Sequence, residues 1–169
     1  KIVVTSGKGG VGKTTVCANL GVYLSRLGFR VCMLDVDIGL NNLDVVMGLE
    51  KQVIFDITDV VSGKCRVRQA LIQDFNYPSL YLLPSSHSYA SSKITGEHIK
   101  NITDIIDHSF DYILLDCPAG VEAGFHRAVY PADEAIVVVT PHLSSLRDAD
   151  KVLSILSSYH IESKYLVIN

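Results

Sequence analysis

Apolar residues in this chain gather into short near-continuous runs, and between the runs they recur at helical spacing. The runs are Ile2-Val3-Val4-Thr5, Val31 to Asp35, Leu80 to Leu83, Tyr112 to Asp116, Ala135 to Val139 and Tyr165 to Ile168. Pro84, Pro118 and Pro141 close three of them within two residues, where a strand must stop for want of an N–H donor. Helical patterns span Lys13 to Leu27, ending at Gly28, about Glu97 to Asp107, and Ser145 to Ser158. The last carries Leu146, Ala149, Val152, Leu153 and Leu156 on one face, and Ser145 with Asp148 three residues on has the form of a capping box.

Strands that are apolar along their whole length, alternating with helices, predict a mostly parallel central sheet covered on both faces, joined by right-handed crossovers. The expected fold is a three-layer α/β/α sandwich forming a single domain over residues 1–169. Ligands of such sheets sit at the carboxyl ends of the strands, so the residues just after each run are the ones to inspect. The Ser-rich stretch from Pro84 to Thr95 reads as a surface loop. The chain opens in a strand without an initiator Met and stops as another strand finishes, so a larger protein with a further C-terminal part is expected.

Composition narrows the function. With 48% hydrophobic and 20% charged residues the chain has ample material for a core, which excludes a disordered class. Its net charge of -3 argues against a nucleic-acid coat, and the basic cluster Lys64, Arg66 and Arg68 reads as a solvated face. No apolar run approaches the roughly 20 residues that span a bilayer, and no signal peptide opens the chain, so a soluble, cytosolic segment is expected. Cys17, Cys32, Cys65 and Cys117 lack CxxC spacing and predict neither a disulfide framework nor a zinc site, and the six histidines show no ligand spacing.

The chemistry is concentrated after three strands. Gly7-Lys8-Gly9-Gly10-Val11-Gly12-Lys13-Thr14-Thr15 satisfies GxxxxGK[ST], the P-loop pattern. Its glycines let backbone N–H groups wrap a phosphate, the helix that follows aims its positive end at the same anion, Lys13 reaches the terminal phosphates and the Thr14 hydroxyl can ligate Mg²⁺. Average residue frequencies supply this pattern by chance in roughly 1 of 100 to 200 chains of this length. The strand before it and the helix after it lower that further, so nucleotide binding is the expectation. Asp35 and Asp37 close the second strand, where alternation would put both carboxylates on one side, for metal or water handling. Leu114-Leu115-Asp116-Cys117-Pro118-Ala119-Gly120 has the form of a Walker B element, with Asp116 emerging where Mg²⁺ would be and Gly120 free to sense a γ-phosphate.

The doubled lysine of Gly7-Lys8-Gly9-Gly10-Val11-Gly12-Lys13 resembles the deviant Walker A motif of the MinD/ParA family of ATPases, whose signature is the earlier lysine. Asp35-Val36-Asp37-Ile38-Gly39-Leu40-Asn41-Asn42-Leu43-Asp44, then Asp116 to Gly120 with Glu122 and Gly124, Ala132 to Ala135, and Ser144 to Asp150 continue the likeness over essentially the whole chain and point to the branch that places the division septum. The resemblance implies Mg-ATP-driven homodimerisation and hydrolysis of ATP to ADP and phosphate. On that pattern Lys13 and the amides of Gly9, Gly10, Val11, Gly12, Thr14 and Thr15 hold phosphate, Thr14, Asp116 and Asp35 serve the metal, and Asp37 orients the attacking water. Asn42 and the loop to Gly120 act as switches.

Lys8, which taken alone would be a solvated loop lysine, reaches by resemblance across the dimer interface to the partner's phosphates. The resemblance also implies a division inhibitor of the MinC type, an activator of the MinE type, and an anionic membrane surface at the cytoplasmic face of a bacterial cell, bound through a C-terminal helix outside these residues. Nucleic acid is not expected. Arg147, Asp148 and Asp150 match the family's partner-facing helix and read equally as a solvated face. Asn41 stands where many family members carry a basic residue, a departure that bears on partner affinity. Two alternatives stay open: a ParA-like or flagellar-placement ATPase acting on DNA or a polar partner, and a nucleotide switch with negligible turnover.

Overall fold

The computed structural model describes residues 1–40, 42–86 and 94–169. The strands are β1 (Ile2–Thr5), β2 (Val31–Asp35), β3 (Ile72–Gln73), β4 (Leu80–Leu83), β5 (Tyr112–Asp116), β6 (Glu134–Val139) and β7 (Lys164–Ile168). The helices are α1 (Lys13–Arg26), α2 (Leu43–Met47), α3 (Ile57–Val61), α4 (Val67–Ala70), α5 (Gly96–Ile106), α6 (Ala123–Val129) and α7 (Leu143–Ser158). One seven-stranded sheet runs in the order β3-β4-β2-β5-β1-β6-β7. Every pairing is parallel except β3 with β4.

The unbroken apolar runs are explained by what lies on either face. Cys32 and Leu34 of β2, with Ile113 and Leu115 of β5, pack into a core closed by Ile99, Ile102 and Ile106 of α5, Phe125 of α6, and Val152 and Leu156 of α7. The alternate residues Val31, Met33 and Leu114 join Val4 and Val138 against Cys17 and Ala18 of α1 and Leu43 of α2. Since successive side chains of a strand point to opposite faces, both sets must be apolar. This is the expected three-layer α/β/α arrangement. At the outer edge β7 leaves Tyr165, Leu166 and Ile168 exposed.

The long elements lie within two residues of their expected bounds, and two expectations need correction. The last long helix begins at Leu143, not Ser145, with His142 at its N-cap and no side-chain cap. Ser145 is instead buried, and its Oγ accepts the backbone N–H of Thr140 at 3.0 Å. The stretch from Pro84 starts inside the protein, with Ser85 and Ser86 buried; its residues 87–93 lie outside the described residues, as does Asn41. The basic cluster after α3 is a solvated face as expected, with Lys64, Arg66 and Arg68 all exposed and Lys64 pairing with Asp59 at 2.7 Å. The antiparallel β3 and the short helices α2, α3 and α6 were not anticipated.

The candidate nucleotide site

The P-loop, the Asp35 and Asp37 pair and the Walker B segment follow β1, β2 and β5, the three adjacent strands at the centre of the sheet, and so meet at their carboxyl ends. The loop after β1 carries the phosphate-binding pattern. Ser6 Oγ donates to the Lys8 carbonyl at 2.6 Å, tightening the turn. Gly12 sits in the left-handed region at φ 93°, a conformation that L side chains rarely adopt, and immediately precedes α1. No side chain caps this helix N-terminus, so its amides remain available to an anion. Lys13 is buried to 8% exposure, whereas Lys8 stands exposed at the loop tip with no partner for its ammonium among the described residues.

Two contacts brace this loop that the sequence motifs did not reveal. Asn169, just past β7, donates its side-chain amide to the Val11 carbonyl at 3.0 Å. Gly7 faces the backbone of Asp148 on α7 so closely that a Cβ there would lie 2.6 Å from its carbonyl oxygen. Asp148 is thus half-buried beside the loop, with Lys151 at 3.7 Å, while Arg147 and Asp150 are exposed.

Asp35 and Asp37 do not share a strand face, because β2 ends at Asp35 and alternation goes no further. Asp35 is almost wholly buried and accepts the backbone N–H groups of Asp37 at 3.0 Å, Asn42 at 3.1 Å and Leu43 at 3.2 Å. Both of its oxygens therefore hold the loop that leads into α2. Burial, reinforced by the Asp116 charge on the neighbouring strand, pushes this carboxyl up to about 7 against the pull of those amides. The same loop is tied to the end of β4, where Ser85 Oγ donates to the Asp37 carbonyl at 3.2 Å and the Gly39 N–H to the Ser86 carbonyl at 3.1 Å. Asp37 itself is half-buried. Burial raises its carboxyl, and Lys13 first and Arg127 second draw it back down.

Asp116 lies beneath the P-loop. Burial lifts it to about 6, while the nearby Thr14 hydroxyl and the Lys13 charge act in the opposite sense. Its Oδ1 is buried and has no hydrogen-bond partner. An orphaned carboxylate oxygen costs free energy, so this one needs a partner that the protein does not supply. A hydroxyl oxygen from Thr14 and a carboxylate oxygen from Asp116 are the hard ligands Mg²⁺ takes, leaving its other positions to water and phosphate. Among the described residues no group of three or more His, Cys, Asp or Glu could hold a metal alone, which sets this site apart from an all-protein metal cage.

Above these carboxylates opens a cleft of about 500 Å³. Gly9, Gly10, Gly12, Lys13, Thr14 and Thr15 form one side, Asp37, Leu40, Asn42, Val45 and Val46 another, and Cys117 with Ala119 the third. Burial pushes the Cys117 thiol up to about 12, so it is a neutral part of the wall. Of the expected residues, Val11 is buried under the loop and Gly120, at φ 85°, follows Ala119 without itself lining the cleft.

Fold and site together define a P-loop nucleotide-binding domain of the three-layer α/β/α class. A family model described as an AAA domain matches residues 1–165. The septum site-determining protein MinD of Bacillus subtilis is 51% identical over 170 residues, covering 99% of this chain and 63% of that protein. Among solved structures, the MinC:MinD cell division protein complex of Aquifex aeolicus superposes with a TM-score of 0.90 at 45% identity, over 99% of this chain and 67% of that one. MinD complexed with Mg-ADP from Pyrococcus horikoshii superposes with a TM-score of 0.91 at 32% identity, over 99% and 69%. The chain belongs to the MinD family of septum site-determining proteins. It spans less than two thirds of the length of the curated relatives it matches, 62% for the protein of Guillardia theta.

Proposed function

We propose that this chain is the nucleotide-binding core of a Mg-ATP-dependent ATPase that dimerises on ATP and places the bacterial division site. The observation that carries the reading is the buried, unpartnered Oδ1 of Asp116, set beside Thr14 and Lys13 under a P-loop whose helix is uncapped. The solved relatives support it, one holding Mg-ADP and one assembled with MinC.

ATP lies with its phosphates in the cleft, wrapped by the amides from Gly9 to Thr15 and neutralised by Lys13. Thr14 and Asp116 hold Mg²⁺, which when bound offsets charge on the phosphate oxygens. Asp35 fixes the loop that presents Asp37 and Asn42 to the γ-phosphate. Asp37 orients a water for in-line attack on the γ-phosphorus; the bond to the bridging oxygen breaks and ADP and phosphate leave. Lys8, exposed and unpaired, completes the site of a second copy, so the full charge complement exists only in the dimer. The exposed apolar residues Leu40, Val45 and Val46 beside the cleft suit such a cover.

The dimer then engages a MinC-like inhibitor and a MinE-like activator and associates with the cytoplasmic face of the membrane. No helix among the described residues is long and apolar enough to cross a bilayer. The net charge of -3 speaks against a nucleic-acid partner.

Lys13→Ala tests the reading. Binding of Mg-ATP by calorimetry and phosphate release should both fall by about a hundredfold or more, since one group neutralises phosphate in ground and transition states alike. Parent-like turnover in this variant would remove the P-loop from the mechanism.

A further inference from the structure

Arg127 is a cation beside the site to which the mechanism above gives no work. It stands on α6, the helix that directly follows the loop from Asp116 to Gly120, and Phe125, Ala128 and Val129 around it are buried, fixing the direction of its stem. The residue is half-buried, and its Nε is buried without a hydrogen-bond partner. An arginine N–H held unpaired away from water is unfavourable, so the arrangement makes sense if another state of the protein supplies an acceptor.

The nearby charges indicate that acceptor. Asp37 interacts with two cations, Lys13 and Arg127, and Asp37 is the charged neighbour that acts on Arg127. No ion pair closes between Arg127 and Asp37 among the described residues, and Lys13 is shared, since it also acts on Asp116 and Cys117. Phosphate in the P-loop takes up the Lys13 charge and at the same time brings negative charge towards Asp37. Asp37 then has one cation left, and Coulomb repulsion from the γ-phosphate would otherwise turn its carboxylate away.

We propose that Arg127 is a positioning residue for hydrolysis: once Lys13 is committed to phosphate, its guanidinium holds the Asp37 carboxylate at the attacking water. The inference rests on the reading of Asp37 given above. It does not need Arg127 to touch nucleotide, and it gives the unpaired Nε a partner in the loaded state.

The experiment compares Arg127→Met, Arg127→Lys, Asp37→Ala and the Asp37→Ala/Arg127→Met pair in the full-length protein, measuring kcat, KM and Mg-ATP affinity by calorimetry. Arg127→Met should lower kcat about tenfold or more with KM and affinity within about twofold to threefold of the parent. Arg127→Lys, which keeps the charge, should recover a substantial part of kcat, and Arg127→Met should lower the residual turnover of Asp37→Ala no further. Full kcat in Arg127→Met with a crippled Asp37→Ala overturns this inference and leaves the Asp37 reading standing. Parent-like hydrolysis by Asp37→Ala overturns both. Equal loss in the Met and Lys variants, accompanied by lost affinity or lost folding, assigns Arg127 a structural role and also overturns the proposal.

Discussion

At the scale of single residues, the site pays for its function in stability. Asp116 and Asp35 are buried carboxyls held at about 6 and about 7, above the usual range near 4. A raised folded-state value means that the folded protein binds the proton more tightly than the unfolded chain. Stability without nucleotide therefore falls as pH rises from about 4, and the loss is complete only above about 7. Asp116→Asn removes its part of this slope and relieves Asp35 of a neighbouring charge. In urea denaturation at pH 8 without nucleotide, that variant should be about 1 to 3 kcal/mol more stable than the parent, with little difference at pH 4, and should gain far less from Mg-ATP. Identical pH slopes for parent and variant would contradict this. The P-loop and the Asp35, Asp37 and Asp116 carboxylates were legible in the sequence because motif spacing and strand ends mark them. The separate environments of Asp35 and Asp37 were not, because they depend on β2 ending at Asp35 and on amides that arrive from Asn42 and Leu43. Arg127 and Asn169 carry no motif, and their nearness to the site comes only from tertiary packing.

At the scale of elements, the long strands and helices were legible, since burial on two faces imposes continuous apolar runs on the one and a 3.6-residue period on the other. Helices such as α2 and α3 are too short to complete the period that would announce them. The Ser145 capping pattern misled for a different reason: the chain turns into α7 two residues earlier, and Ser145 is spent on the Thr140 amide inside the fold. What this element does is visible only in three dimensions. The first half of α7 is seated against Gly7, which couples a helix with exposed Arg147 and Asp150 to the start of the phosphate loop. Gly7→Ala should force the two apart at a cost of about 1 to 3 kcal/mol, because the clash is with backbone that cannot rotate away. Its Mg-ATP affinity should fall while far-UV circular dichroism keeps its helical signature. An alanine variant with parent stability would show that α7 is not seated there.

At the scale of the whole molecule, the layer architecture follows from the alternation of strands and helices, and the central position of β1, β2 and β5 puts the three functional loops side by side. The edge strand β3 was not legible, as two antiparallel residues leave no pattern. The site so assembled is one-sided: its floor holds buried carboxylates and Lys13, while Lys8 and the apolar Leu40, Val45 and Val46 face outward. On the proposed reading, the exposed lysine at the tip completes the site of a second copy. The central claim is therefore ATP-dependent dimerisation through Lys8. It is tested most directly by sedimentation velocity of the full-length protein carrying Asp37→Ala, which should hold ATP unhydrolysed, with and without Lys8→Ala. The account predicts a dimer in Mg-ATP and a monomer in Mg-ADP for Asp37→Ala, and a monomer in both when Lys8→Ala is added. A Lys8→Ala protein that dimerises in Mg-ATP as fully as its parent would contradict it.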